Sequence, residues 1–181
     1  MNRLSQIDPA AAVGEPKQML EAVRAKLGVV PNMMRVLANS PAALKAYLDF
    51  SGALGKDSLG AKTREQIALA VAETNLCGYC LSAHSFIGGK LGLSDAEIAN
   101  ARRATAPSEK TDAILKLARA IVVRRGELDD RDLEQARSQG LTDGMIVETI
   151  ANIALNIFTN YVNHIARTVI DFPEVSPGVG Q

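Results

Sequence analysis

Apolar residues recur along the chain at the three- and four-residue spacing of helices, and no alternating pattern is long enough to predict a strand. Thr63 with Gln66 and Ser94 with Glu97 fit the reciprocal capping of a helix start. The other predicted helices run from Pro16 to Gly28, briefly after Pro31, from Ser40 to about Gly55, from near Cys77 to Gly92, from Ser108 to Gly126, from Asp129 to Gly140 and from Thr142 to before Pro173. The pattern predicts an all-α bundle of about eight helices.

The composition favours one closely packed helical domain. The chain has 181 residues, with 27 alanines, seven aromatic residues and no tryptophan, and alanine favours helices over strands. We predict a helical domain over residues 16–173, a lead segment over 1–15 and a frayed tail over 174–181. The same composition predicts an oligomer, because such helices cover part of their apolar surface with copies of themselves.

Charge and hydropathy argue against several classes of function. Lysine plus arginine and aspartate plus glutamate both number 20, so no net field favours nucleic acid or an anionic membrane. The first residues contain no apolar secretion segment. The chain also contains no uninterrupted run of 18 apolar residues, the length that a membrane-spanning helix needs. We therefore expect a cytoplasmic protein that binds neither nucleic acid nor membrane.

The chemistry is concentrated in residues 63–92, which contain both cysteines. Cys77 and Cys80 fall in the first turn of a predicted helix, where unpaired backbone amides favour a thiolate, and their spacing permits a disulfide. His84 is one turn after Cys80 on the same face. Two other interpretations remain open: buried thiols that pack as small apolar groups, or half of a zinc site completed by His84 and His164.

Glu65 belongs to a helix that is apolar on nearly every side. Its side chain is in line with Leu69, Ala72 and Leu76, so a buried carboxylate with a raised pKa or a partner is one interpretation. The alternative is a glutamate at the helix start that faces solvent and is favoured by the helix dipole.

A stripe of polar residues follows one face of the last long helix. It consists of Asn152, Asn156, Asn160, Asn163 and His164. We expect a solvated face or a subunit contact in which the amides pair with each other, in preference to a wall of the cysteine pocket.

The string Glu65, eleven residues, Cys77-Gly-Tyr-Cys80, three residues, His84 resembles the signature of one protein family. That family is the alkylhydroperoxidase D (AhpD)-like branch of the carboxymuconolactone decarboxylase superfamily. The segments LGVVPNMMRVLANSPAALKAYLDFSGAL (27–54) and NYVNHIARTVIDFP (160–173) are also similar to its peroxidase-related group. The resemblance covers residues 15–173 and departs from the pattern at Tyr79, where the best-studied members have a histidine.

The resemblance implies an all-α oligomer, a trimer or hexamer, that reduces peroxides. It gives Cys80 the role of peroxide-attacking thiolate, Cys77 that of resolving thiol, and Glu65 with His84 that of proton relay. Electrons would come from an external dithiol or protein reductant, with no bound cofactor or metal.

The sequence therefore predicts a thiol-dependent peroxidase with a redox-active disulfide. The chain contains no nucleotide-binding fingerprint that would supply electrons in another way. The alternatives are a metal-binding or non-catalytic oligomeric module of the same fold and, with less support, a lactone decarboxylase.

Overall fold

Helices account for all the regular secondary structure in the part of the chain that the computed structural model describes, residues 3–179. Within those residues there are nine helices: α1 (Gly14–Leu27), α2 (Asn32–Leu37), α3 (Pro41–Leu54), α4 (Ala61–Thr74), α5 (Gly78–Lys90), α6 (Asp95–Arg102), α7 (Glu109–Arg124), α8 (Asp130–Ser138) and α9 (Asp143–Ala166). The predicted all-α class is confirmed, with one helix more than the approximate number expected.

Local capping fixes most helix starts. Ser94 and Glu97 form the predicted reciprocal capping box of α6. Thr63 and Gln66 do not form one, because the N-cap of α4 is Gly60, three residues before Thr63, and its φ of 84° favours glycine. Side chains also cap α3, α7, α8 and α9, and these are Ser40, Ser108, Asp129 and Thr142, as predicted.

Helix α4 is the centre of the molecule. Its residues from Gln66 to Glu73 are all buried, and it packs against α5, α6, α7 and α9. A helix surrounded on all sides needs apolar or small residues around its whole circumference. The run of isoleucine, leucine, valine and alanine over residues 67–72 provides them, and it holds the start of α5 against the core.

Helix α9 lies along one side of α4 and contacts α2, α3, α5 and α7 as well. Of the helices in residues 3–179, it alone is long and apolar enough to cross a membrane by length and composition. In this structure it is a helix of the bundle, with buried residues along its length from Met145 to Ala166.

The C-terminal segment after α9 crosses the start of α5. The Val175 amide donates to the Ser82 hydroxyl at 2.9 Å, and the Gly178 and Val179 amides donate to Glu73 Oε1 at 2.5 and 2.8 Å. These part-buried hydrogen bonds hold Val175, Gly178 and Val179 against α4 and α5, and the frayed tail expected over 174–181 stays a prediction. Residues 180–181 lie outside the described part.

Candidate functional site

A tight turn between α4 and α5 sets the position of both cysteines. Leu76 adopts a left-handed conformation with φ 55°, and the Cys77 amide donates back to the Ala72 carbonyl at 2.8 Å. Cys77 is the N-cap of α5, and its sulfur accepts a hydrogen bond from the Cys80 amide at 3.4 Å. Both cysteines thus lie in the first turn, as predicted, and both are free and buried.

The two thiols are close enough for each to change the pKa of the other. The hydrogen bond from Cys80 lowers the pKa of the Cys77 thiol, against the effect of burial, and the helix-start amides and His84 lower it further. The same hydrogen bond, together with burial, raises the pKa of Cys80. In the reduced pair the first negative charge therefore lies on Cys77 and the shared proton on Cys80.

Glu65 and His84 form an ion pair across α4 and α5. His84 Nδ1 lies 2.7 Å from Glu65 Oε2, and both side chains are largely buried. Burial lowers the pKa of His84, but the charge and hydrogen bond of Glu65 outweigh it, so the net pKa is raised. The interpretation of Glu65 as a solvent-facing residue is wrong, because its carboxylate is paired inside the protein.

The asparagine stripe of α9 faces the interior. Asn152, Asn156, Asn160 and Asn163 are at most 6% exposed, so the expectation of a solvated face or a subunit contact is wrong. Asn163 Nδ2 donates to Cys80 Sγ at 3.3 Å. The stripe is buried because it meets polar partners of the bundle, and these include a cysteine.

His164 does not belong to that stripe. Its side chain is exposed, and its Nε2 lies 2.9 Å from the Asn75 carbonyl. Among residues 3–179, no group of three or more histidine, cysteine, aspartate or glutamate side chains is arranged to hold a metal ion. The described residues thus do not form the zinc site that His84 and His164 were considered to complete.

A cavity of about 440 Å³ opens onto Cys80, Glu65 and His84. Cys77 is not among its lining residues, so Cys80 presents the accessible sulfur. Much of the wall is apolar and comes from α1, α2, α3, α5 and α9, including Leu27, Met34, Leu48, Leu54, Ile87 and Leu155. The site combines a thiol pair, a histidine–carboxylate pair and room for an apolar molecule of small to moderate size.

Two tyrosines line the cavity and were not identified as site residues from the sequence. Burial raises the pKa of Tyr47 to about 12, and the nearby charges of Glu65 and Cys80 raise it too. The Tyr79 hydroxyl accepts a hydrogen bond from the Met33 amide at 3.1 Å, and its ring packs edge to face against the ring of Phe172. Tyr79 therefore ties α5 to α2. The sequence signal for Tyr47 was its place in the segment 27–54.

Comparison with known proteins gives one family match and several solved structures with the same fold. Residues 41–123 match the model of the carboxymuconolactone decarboxylase family. The chain is similar to the crystal structure of an alkylhydroperoxidase AhpD core, an uncharacterized peroxidase-related protein from Ralstonia eutropha, with 24% identity, a TM-score of 0.83, and coverage of 94% of this chain and 92% of that chain. No protein of curated function matches it in sequence.

Two further solved structures have the same architecture. An uncharacterized peroxidase-related protein from a Silicibacter species is 25% identical, with a TM-score of 0.81 over 92% of this chain and 89% of that chain. The debrominase Bmp8, solved as a variant in complex with 2,3,4-tribromopyrrole, is 18% identical, with a TM-score of 0.79 over 93% of this chain and 91% of that chain. The similarity to Bmp8 is one of fold.

Proposed function

We propose that the chain, whose residues 41–123 match the carboxymuconolactone decarboxylase family and whose fold is AhpD-like, is a member of that family and a thiol-dependent peroxidase acting on organic hydroperoxides. The observation that carries the proposal is the position of Cys80. Its sulfur borders an apolar cavity, while a second thiol lies within hydrogen-bonding contact. Such a pair can take up two oxidising equivalents and return to the dithiol.

The oxidation begins at Cys80. Its proton passes to Cys77, the partner in their shared hydrogen bond, and the Cys80 thiolate attacks the terminal oxygen of the hydroperoxide. The oxygen–oxygen bond breaks, an S–O bond forms, and the sulfur becomes a sulfenic acid while the peroxide is reduced to an alkoxide. The alkoxide takes a proton and leaves as an alcohol.

Resolution and recycling follow without another bound group. The Cys77 sulfur attacks the sulfenic sulfur, a disulfide forms, and the hydroxyl leaves as water with the Cys77 proton. An external dithiol, free or on a protein, then supplies two electrons and two protons and is itself oxidised to a disulfide. The spacing of the two cysteines in one helical turn keeps both sulfurs available to each other.

Glu65 and His84 manage the protons of this cycle. The ion pair with Glu65 raises the pKa of His84, so at neutral pH the imidazole retains its proton more readily than a free histidine does. A protonated His84 favours the thiolate of the cysteine pair and supplies a proton to the departing alkoxide. Glu65 holds the ring by its Nδ1 at 2.7 Å, which leaves Nε2 free for this transfer.

Thiol titration with and without hydroperoxide tests the proposal. We expect two free thiols per chain before addition of cumene hydroperoxide and none after one equivalent, with recovery of both on addition of dithiothreitol. Metal analysis of the same sample separates this function from metal binding. If the two thiols persist in excess hydroperoxide, the peroxidase proposal is wrong and a non-catalytic module of the same fold replaces it.

Reductive dehalogenation is a second candidate, favoured by the apolar wall beside the thiol pair and by the fold shared with a debrominase. In this reaction a carbon–bromine bond breaks, bromide leaves, the carbon takes a proton, and the two thiols supply two electrons as they form the disulfide. Bromide release from 2,3,4-tribromopyrrole in the presence of dithiothreitol distinguishes the two activities. A protein that consumes hydroperoxide and releases no bromide is the peroxidase alone.

A further inference from the structure

Two buried asparagines of α9 lie near Cys80, and the amide of one of them donates to its sulfur. Asn163 Nδ2 donates to Cys80 Sγ at 3.3 Å. Asn160 is fully buried one turn earlier and also favours the ionised form of Cys80. Cys80 has burial and its neighbour Cys77 working against ionisation, so donors aimed at its sulfur matter most when it carries the charge.

Both amides keep one polar atom unused. Asn163 Oδ1 and Asn160 Nδ2 are buried and have no hydrogen-bond partner in the described structure. The other end of Asn160 is occupied, because its Oδ1 accepts from Asn75 Nδ2 at 2.9 Å. Buried polar atoms without partners are rare in proteins, and a catalytic role is one of the explanations for them.

The neighbouring asparagines of the same stripe behave differently. Asn156 Nδ2 donates to the Asn152 carbonyl within α9 at 2.9 Å. Asn152 Nδ2 donates to Asp57 Oδ2 at 2.9 Å and to the Glu148 carbonyl at 2.8 Å. The Nδ2 groups of these two asparagines have structural partners, whereas Asn163 Nδ2 donates to the cysteine sulfur and Asn160 Nδ2 has no partner among the described residues.

We propose that Asn160 and Asn163 form a two-amide cradle that holds Cys80 in its two reactive states. In the first state, both Nδ2 groups donate to the thiolate. In the second state, Asn163 Oδ1 accepts the O–H of the Cys80 sulfenic acid. The inference rests on the proposed peroxidase function and adds two residues to its machinery.

The cradle follows the atoms of the oxidation step. The thiolate takes the terminal oxygen of the hydroperoxide together with its hydrogen, and the remaining alkoxide leaves. The new hydroxyl on sulfur is a hydrogen-bond donor, and Asn163 Oδ1 is a buried acceptor without another partner among the described residues. This hydrogen bond holds the sulfenic acid until Cys77 attacks the sulfur.

The experiment uses the full chain in a Cys77→Ser background, so that Cys80 is the single thiol. The rate of alkylation by iodoacetamide is measured from pH 6 to 11, and its midpoint reports the pKa of Cys80. Asn163→Leu, which keeps the approximate size and removes both polar atoms, is expected to raise the midpoint by about one unit, equal to a tenfold loss of thiolate. Asn160→Leu is expected to raise it in the same direction.

Asn156→Leu in the same background is the matched control. It removes an asparagine of the same helix face whose amide donates to the backbone, so the midpoint is expected to stay within a few tenths of the parent value. Should Asn163→Leu fail to fold by circular dichroism, Asn163→Asp replaces it with nearly the same shape. The added negative charge is then expected to raise the midpoint further.

The second readout is the lifetime of the sulfenic acid after one equivalent of cumene hydroperoxide, measured by trapping with dimedone at increasing delays. Asn163→Leu is expected to shorten it severalfold, and Asn156→Leu to leave it unchanged. An unshifted alkylation midpoint in the Asn163 variants, or an equal shift in the Asn156 variant, overturns the cradle. Alkylation needs no peroxide, so this result is independent of the thiol titration that tests the peroxidase function.

Discussion

The two cysteines have the same burial and different surroundings. Each is about 2% exposed, but only Cys80 borders the cavity, while Cys77 caps α5 and receives the Cys80 amide. One cysteine of the pair is therefore accessible from the cavity, and the other has the lower pKa. In the proposed cycle, Cys80 meets the peroxide, and Cys77 holds the negative charge of the resting dithiol and takes the proton when Cys80 reacts.

Serine substitutions distinguish the two roles. Cys80→Ser is expected to abolish hydroperoxide consumption, because no other cysteine of the described residues borders the cavity. Cys77→Ser is expected to allow one turnover and to leave a sulfenic acid that dimedone traps, because recycling needs both sulfurs. The measurement is hydroperoxide consumed per chain with dithiothreitol as reductant. Full turnover by Cys77→Ser, with a single burst from Cys80→Ser, would reverse the assignment.

The proposed role of the Glu65–His84 pair as a proton relay predicts that the reaction depends on pH. General acid and base groups contribute about 10² to 10⁴ in rate, so Glu65→Gln and His84→Ala are each expected to lower hydroperoxide reduction by a factor in that range at pH 7. The loss is expected to shrink toward about pH 8.5, where a free thiol ionises without help. Rates of the wild type and both variants from pH 6 to 9 are the measurement. Equal losses at every pH would contradict a proton relay.

The same pair also makes stability depend on pH. The folded pKa of His84 is raised above its ordinary value, so its stabilisation is complete below the unfolded pKa of about 6.5 and is lost as the pH rises through the folded value. Urea unfolding from pH 5 to 9 is expected to show this decline in the wild type and a weaker one in His84→Gln. If the free energy of unfolding declines with pH equally in the wild type and in His84→Gln, the decline belongs to other groups.

Among the elements, the segment after α9 depends most on one side chain. Glu73 of α4 binds Arg102 Nε at 2.7 Å and the Gly178 and Val179 amides. Burial raises the pKa of Glu73, but Arg102 and the two amides outweigh it, and the net pKa is lowered. This cluster holds the C-terminal segment over the start of α5, where the cysteines lie.

Glu73→Gln is expected to destabilise the protein by about 3 kcal/mol, because it leaves the largely buried Arg102 without its charge partner. The stabilisation by Glu73 is present above the ordinary carboxyl pKa of about 4.3 and is lost as the pH falls through the lower folded value. The difference in free energy of unfolding between the wild type and Glu73→Gln, measured with urea, should therefore be largest at pH 7 and smaller at pH 3. Glu127→Gln, at an exposed position, is the control, and it is expected to leave the free energy of unfolding unchanged at both pH values.

At the scale of the whole molecule, α9 leaves an apolar stripe uncovered. The residues are Val147, Ile150, Phe158, Tyr161 and Ile165, each between 39% and 63% exposed. Their spacing of three, four or eight residues keeps them on one side of the helix, as in a helix–helix seam. We propose that a second copy of this chain covers the stripe, which would also account for the oligomer predicted from the composition.

Light scattering after size-exclusion chromatography is expected to give a mass that is a multiple of 19.2 kDa. Phe158→Glu is expected to shift the protein toward the monomer, because the seam would have to bury an unpaired charge. Val123→Glu, at an exposed apolar position on α7, is the matched control and should leave the mass unchanged. A wild-type monomer at micromolar concentration would contradict the proposal.

The sequence by itself determined the helices and the first turn of the site. Ser94, Ser108, Asp129 and Thr142 cap helices as predicted, and Cys77 caps α5. A cap is an interaction between residues two or three positions apart, so it can be inferred from neighbours in the chain. The all-α class and the place of both cysteines in one turn follow from the same short-range physics.

Tertiary structure alone decided which faces of the helices are buried. The periodicity of α9 placed its asparagines on one face without stating what that face meets, and a polar stripe ordinarily faces water. Here Asn163 meets Cys80 and Asn152 meets Asp57, while apolar residues of the same helix are exposed. The partners are 83 and 95 residues away in the chain. Burial of a polar group depends on whether distant residues offer hydrogen bonds, and only the packed fold fixes that.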